Sequence, residues 1–170
     1  NNGVPVMNIV TGTSSVDVYS NLSTNYREVG KLLAQTIELE IGSDGDVIIV
    51  SSEEAGYATI QKLEGLMEYI NDETSLRIKA IIYTSAEVLS IERLFTSYFA
   101  EEDIDGVMTL DQATTVGVGR ALEYLDLNIG VVGSNIYEND LYLIEKGYVD
   151  QVIDENFFAI GYLAMENSVN

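Results

Sequence analysis

Asp111-Gln112 puts an acid and an amide where the apolar run Gly106-Val107-Met108-Thr109-Leu110 gives way to a helical pattern carrying Gly117, Val118, Ala121 and Leu122 on one side. An acid at such a corner can take up a proton, accept a hydrogen bond from a ligand hydroxyl, or cap the free amides of the helix. Glu155 is a second carboxylate beyond a later strand, and the two would make an acid–base pair if they converged at one rim. Carboxylates at helix starts are more often structural, because they face the positive end of the helix dipole. The sequence contains no His and no Cys. That removes the commonest general base, the Ser-His-Asp arrangement, thiolate metal ligands and disulfides. With no nucleophile–base pair visible, the expectation is a protein that is not an enzyme and needs no cofactor or metal.

Nucleotide-handling motifs are missing as well. A dinucleotide fold needs a glycine fingerprint after its first strand, whereas Thr11-Gly12-Thr13 runs into a long polar stretch, and no Gly-rich turn ends in Lys-Ser or Lys-Thr. A phosphoryl-accepting receiver would need a Lys beyond a later strand, where Ser134 and Asn135 stand.

The elements that position these residues follow from the alternating periodicity. The pattern predicts a strand over 4–10 after a turn at Asn2-Gly3, a polar stretch from Thr11 to Thr24, and a helix from Asn25 to Ile41 striped by Tyr26, Val29, Leu33 and Ile37. Asn25 and Glu28 have capping-box spacing, and Gly42 ends the helix. A strand over 46–51 precedes a helix lined by Ile60, Leu63, Met67 and Ile70. A strand over 76–83 precedes a helix opened by Thr84 and Glu87 and lined by Ile91, Leu94, Phe95 and Tyr98. Further strands are expected over 106–110, 128–133 and 148–153, with helices from about Asp111, Asn135 and Asn156. Alternating strands and helices, with strands apolar on both faces, imply an α/β fold with a doubly wound, mostly parallel sheet flanked by helices. Ligands of such sheets gather at the carboxyl ends of the strands. The corners to watch are therefore Ser51-Ser52-Glu53, Tyr83-Thr84, Asp111-Gln112, Ser134-Asn135 and Asp154-Glu155.

At 170 residues the chain suits one domain. Its 28 acidic and 8 basic residues leave a net charge of −20. That balance disfavours direct nucleic-acid contact and attraction to anionic membranes. No apolar run has the length of a membrane span, and no leader is expected ahead of Asn1.

Val4-Pro5-Val6, Thr24-Asn25-Tyr26, Lys62-Leu63-Glu64-Gly65, Asp111-Gln112 and Val131-Val132-Gly133 form, in this order, a motif series that resembles type I periplasmic sugar-binding proteins, the ribose-binding and lactose-repressor family. Val4-Pro5-Val6-Met7-Asn8-Ile9 is similar to that family's Ile-Pro-Val strand, and Thr24-Asn25-Tyr26-Arg27-Glu28-Val29-Gly30-Lys31 to its Thr-Asp-Asn-Tyr-Glu-Ala-Gly-Lys segment. Lys62-Leu63-Glu64-Gly65-Leu66 resembles Arg-x-x-Gly-Phe. Asp111-Gln112 with Gly117 and Arg120-Ala121-Leu122 resembles the Asn-Asp and Gly-x-x-x-Ala-Leu arrangement, and Val131-Val132-Gly133-Ser134-Asn135 resembles Val-Val-Gly-Phe-Asp. Gly147-Tyr148-Val149-Asp150 to Gly161-Tyr162 resembles the late strand and returning helix.

The resemblance implies one lobe of a two-lobed fold. Residues 1–24 would be the hinge strand and crossover from a first lobe of about a hundred further residues, 25–155 the second, ligand-binding lobe, and 156–170 the start of the return helix. It implies ligand contacts at Lys62, Tyr83, Asp111, Gln112, Asn135 and Glu155. Lys62 stands where Arg is usual, Asp111 where Asn is, Asn135 where Asp is, Glu155 where Gln is, and Val10-Thr11 where pentose binders have Asp-Arg. Five of these also have a plainer role: Asp111 as an N-cap, Asn135 as a cap with Glu138, Lys62 as a solvated helix residue, Tyr83 as core or rim packing, and Glu155 as a charge favouring the next helix start. The implied function is binding of a small polar, sugar-like ligand for uptake or sensing, outside the cytoplasm, through hinge closure. A membrane permease or a receptor or kinase would be the partner. The alternatives are the effector lobe of a transcriptional repressor and a degenerate protein-interaction module.

Overall fold

Val47 to Val50, Val107, Met108, Val131 and Val132 are fully shielded from solvent, as strands covered on both faces must be. They belong to a computed structural model that describes residues 7–10, 20–52 and 56–169. The Asn2-Gly3 turn, Val4-Pro5-Val6, most of the polar stretch after Val10 and Glu53 lie outside the described residues.

The elements in order are β1 (Met7–Ile9), β2 (Ser20–Leu22), α1 (Tyr26–Ile41), β3 (Asp44–Ser51), α2 (Tyr57–Glu73), β4 (Ser75–Tyr83), α3 (Val88–Glu101) and β5 (Gly106–Thr109). Then follow α4 (Gln112–Leu125), β6 (Gly130–Ser134), a 3₁₀ turn (Glu138–Asp140), α5 (Tyr142–Glu145), β7 (Gln151–Ile153) and α6 (Phe157–Val169). β1 and β2 pair in parallel apart from the main sheet, with Asn8 opposite Asn21. The main sheet is wholly parallel in the order β4-β3-β5-β6-β7. Strand order therefore reverses between β3 and β5, which makes their carboxyl ends the switch point.

Helices cover both faces, as a doubly wound sheet requires. On one face Leu33, Ile37, Leu66 and Ile70 of α1 and α2 pack over Ile49, Met108 and Val132. On the other Ile91 and Phe95 of α3 and Val118 and Leu122 of α4 pack over Ile48, Val50, Val107 and Val131. The stripe expected on α1 is buried at all four positions. α1 and α2 touch backbone to backbone: a Cβ on Gly30 would stand 1.9 Å from the Lys62 carbonyl oxygen, and one on Gly65 1.9 Å from that of Arg27.

This approach turns the α2 stripe only in part: Ile70 is buried, and Leu63 and Met67 pack half-buried against the core. Ile60 is exposed, and Thr59, Lys62, Leu66 and Ile70 form the buried face. On α3 the buried residues are Ile91, Phe95 and Phe99, with Leu94 exposed. The cap expected at Thr84 and Glu87 does not form. Thr84 donates its backbone N–H to Ser51 O at 2.9 Å, so it still belongs to the sheet, and α3 opens at Val88 without a side-chain cap. β4 is an edge strand with Arg77, Lys79, Ile81 and Tyr83 exposed, not a strand apolar on both faces. No long helix starts at Asn135; a 3₁₀ turn and the one-turn α5 follow it instead.

Candidate functional site

The corners after β3, β5 and β6 meet beside the start of α6 and enclose a concavity of about 260 Å³. Asp111 sets its floor. As N-cap of α4 it accepts the Thr114 N–H on one carboxylate oxygen at 3.0 Å, while the other accepts the Ser52 N–H at 2.7 Å. One side chain thus caps the helix and ties the loop after β3 across the switch point. Gln112, the next residue, lines the same hollow from the first turn of α4.

Lys62 is not solvated. It is 4% exposed, and its ammonium donates to Leu110 O at 2.7 Å, to Ser134 Oγ at 2.9 Å and to the Glu155 carboxylate. The fold itself buries it, because the Gly30 and Gly65 contacts draw α2 inward over the strand ends. Glu155 is equally buried and also accepts the Ser134 hydroxyl proton, so it serves Lys62 and not the start of α6. Asn156 supplies that helix's cap, accepting the Ala159 N–H at 3.2 Å.

Asn135 caps nothing. It holds a left-handed φ of 63°, its N–H donates to Ile153 O at 3.0 Å, and its side-chain oxygen accepts the Glu155 N–H at 3.0 Å. The Thr24 hydroxyl donates to the Glu155 carbonyl at 3.3 Å. Glu155 thereby joins the segment before α1 to the segment before α6.

Lys62, Asp111, Gln112, Asn135 and Glu155 all line the concavity. Tyr83 ends the edge strand β4 opposite Ser51 and lies outside it. Sequence reasoning missed the aromatic wall. Tyr26 and Phe157 line the hollow, and Tyr57 meets Tyr26 edge to face with ring centroids 6.4 Å apart. Each of the three is the first residue of its helix, α1, α6 or α2. An aromatic opening a helix just beyond a strand-side loop was the signal available. The Tyr26 hydroxyl donates to Val10 O, and the Lys62 ammonium lies 5.6 Å from the Tyr26 ring centroid. Burial first, then the charge of Glu155 and Tyr57, pushes the Tyr26 phenol up to about 12. Val10 is held at φ 71°, a conformation β-branched residues rarely adopt.

A larger hollow of about 500 Å³ runs between the outer surfaces of α1 and α2. Arg27 there already pairs with Glu68 at 2.6 Å, and this groove lies away from the strand ends, where ligands of such sheets gather, so the candidate site is the concavity at the switch point. Ser134 beside Lys62 is no free nucleophile: its oxygen is buried and its proton is directed to Glu155. Among the described residues no group of three or more His, Cys, Asp or Glu could hold a metal ion, and no helix is long and apolar enough to cross a membrane.

The whole chain, residues 1–170, matches the family described as periplasmic binding protein domain. The chain belongs to this family. A carbohydrate transporter solute binding protein from Agrobacterium radiobacter, solved with D-arabinose, superposes with a TM-score of 0.91 at 20% identity, covering 98% of this chain and 59% of that one. The XylFII molecule, also solved in an XylFII-LytSN complex, superposes at 0.89 with 21% identity, covering 96% of this chain and 61% of the other. AraP, an arabinose binding protein from Geobacillus stearothermophilus, gives 0.85 at 18% identity, with 96% and 57% covered. The chain therefore spans less than two thirds of these proteins, and at such identities the likeness is one of fold. No match is found among curated proteins.

Proposed function

We propose that this chain is the second lobe of a sugar-binding protein used for uptake or sensing outside the cytoplasm, with residues 1–24 and 156–170 crossing to a first lobe. The carrying observation is the concavity itself. At one switch point it combines hydrogen-bonding groups suited to hydroxyls, Gln112, Asn135 and the carboxylate of Asp111, with the Tyr26 and Phe157 rings. The names of the superposing proteins, with D-arabinose in one of them, support a carbohydrate ligand.

The exposed side of α6 supports the existence of that first lobe. Phe158 is 85% exposed and Met165 72%, on a helix in contact with β1. An apolar surface of this kind calls for a cover. A ligand enclosed by both lobes makes more contacts in the closed form and shifts the population towards it. A permease, or a receptor or kinase, would read that closure. The solute-binding proteins among the superposing structures favour this reading over a repressor's effector lobe.

Titration of this chain with D-arabinose, followed by amide NMR, tests the proposal. One lobe supplies half the enclosure, so weak binding is expected, with shifts confined to Ser52, Gln112, Asn135 and the Glu155 region. Shifts spread over the outer α1–α2 groove, or no response at any concentration, would refute it.

A further inference from the structure

Resting on the carbohydrate reading, the charges around the concavity discriminate among sugars. Three side chains of the acidic and basic types line it: Lys62, Glu155 and Asp111. The Lys62 ammonium has three protons, and Leu110 O, Ser134 Oγ and the Glu155 carboxylate occupy them. It has no proton to offer a ligand, and Glu155 cancels its charge. Among the described residues Asp111 has no cationic partner and accepts only the Ser52 and Thr114 N–H groups. A carboxylate has about four lone-pair positions, so Asp111 retains capacity to accept from a ligand. The described lining therefore carries one negative charge without a cationic partner, in a hollow partly shielded from water.

We propose that the Lys62–Glu155 pair acts as a charge filter. By cancelling the lining's one cation, it leaves Asp111 to set the sign of the site. The lobe then rejects carboxylated and phosphorylated sugars and accepts uncharged and amine-bearing ones. An ammonium in place of a ligand hydroxyl gives Asp111 a charge-assisted hydrogen bond, whereas a ligand carboxylate meets a like charge and finds no free donor cation.

NMR titration of the chain at constant ionic strength with D-glucose, D-glucuronate and D-glucosamine tests this. Glucose and glucosamine are expected to shift the Gln112 and Asn135 signals, glucosamine at lower concentration, with glucuronate weaker than glucose by on the order of tenfold. Glu155→Gln releases the Lys62 charge and is expected to bring glucuronate to parity with glucose or beyond. Asp111→Asn keeps one capping oxygen and removes the uncompensated charge, a second variant should Glu155→Gln fail to fold. With it, glucosamine is expected to lose its advantage and glucuronate most of its handicap. Glucuronate binding to the unaltered chain as well as glucose does would overturn the filter and leave the carbohydrate reading standing. Silence of glucose and glucosamine alike would overturn the filter, and silence of D-arabinose as well would overturn the carbohydrate reading.

Discussion

Replacing Glu155 by Gln removes one charge from a pair whose side chains are 6% and 2% exposed. Gln keeps an oxygen for the Lys62 ammonium, so the loss falls mainly on the electrostatic part of the contact. Two unit charges about 4 Å apart attract by about 4 kcal/mol at an effective dielectric of about 20. Stranding one member of a buried pair typically costs about 3–5 kcal/mol. The two figures agree, and the retained acceptor puts Glu155→Gln at the lower end, about 3 kcal/mol. Lys62→Met strands the carboxylate with the Ser134 hydroxyl alone and belongs at the upper end. The double change Lys62→Met with Glu155→Leu leaves no buried charge, and replacing a buried pair by apolar groups is often neutral. It should return to within about 1 kcal/mol of the unaltered chain, a coupling of several kcal/mol in a double-mutant cycle. Urea unfolding followed by circular dichroism measures all four corners. Single changes of under about 1 kcal/mol that simply add in the double variant would mean that water screens the pair, and the reasoning would fail.

Other expectations follow from neighbouring contacts. Gly30→Ala would bring a methyl to 1.9 Å from the Lys62 carbonyl, so α2 must retreat; a loss of about 1–3 kcal/mol or more is expected, with displaced Gln112 and Asn135 NMR signals. Burial, and next the nearby Glu40, raise the Asp150 carboxyl above its ordinary value against the opposing Val131 N–H bond. Its folded form therefore holds the proton more tightly than the unfolded chain, and that stability is lost as pH rises through the folded value. Asp150→Asn keeps an acceptor for Val131, so it should raise the Tm at pH 7 and leave it unchanged at pH 3, where the carboxyl is protonated. Tyr26→Phe loses the hydrogen bond to Val10 O, about 1 kcal/mol at neutral pH. Because the Tyr26 phenol is pushed up to about 12, the unaltered chain loses stability between pH 10 and 12, so the gap to the Phe variant should narrow there.

What could be read from the sequence was whatever depends on near neighbours or on period. Asn25 and Asp111 cap helices through amides three residues ahead, and the α1 stripe repeats every three or four residues; both are local facts. The five parallel strands followed from the same periodicity. Thr84 and Asn135 carried equally good local signals and failed for a shared reason: a distant group claimed them first. Ser51 holds Thr84 in the sheet, and the Glu155 N–H occupies the Asn135 oxygen from 20 residues away. Lys62 could not be read from α2 alone, since the carboxylate that permits its burial lies 93 residues onward.

The departures from the resembled family pattern at the site are better understood as coupled than as separate losses. A Lys buried where Arg is usual is a compact charge needing an opposite charge, and Glu155 in place of Gln supplies it; either change alone leaves a buried group unpaired. Asp111 in place of Asn brings a second acceptor oxygen, and the structure uses both, one for the Thr114 amide and one for Ser52. An Asn there could accept only one of them through oxygen. Three of the substitutions that obscured the ligand in the sequence, at Lys62, Glu155 and Asp111, are thus structural chemistry at the rim. On the proposed sugar-binding reading, recognition would then pass to the groups that remain available, Gln112, the spare lone pairs of Asp111 and the rings at the helix starts. Their placement does not depend on Lys62 reaching a ligand.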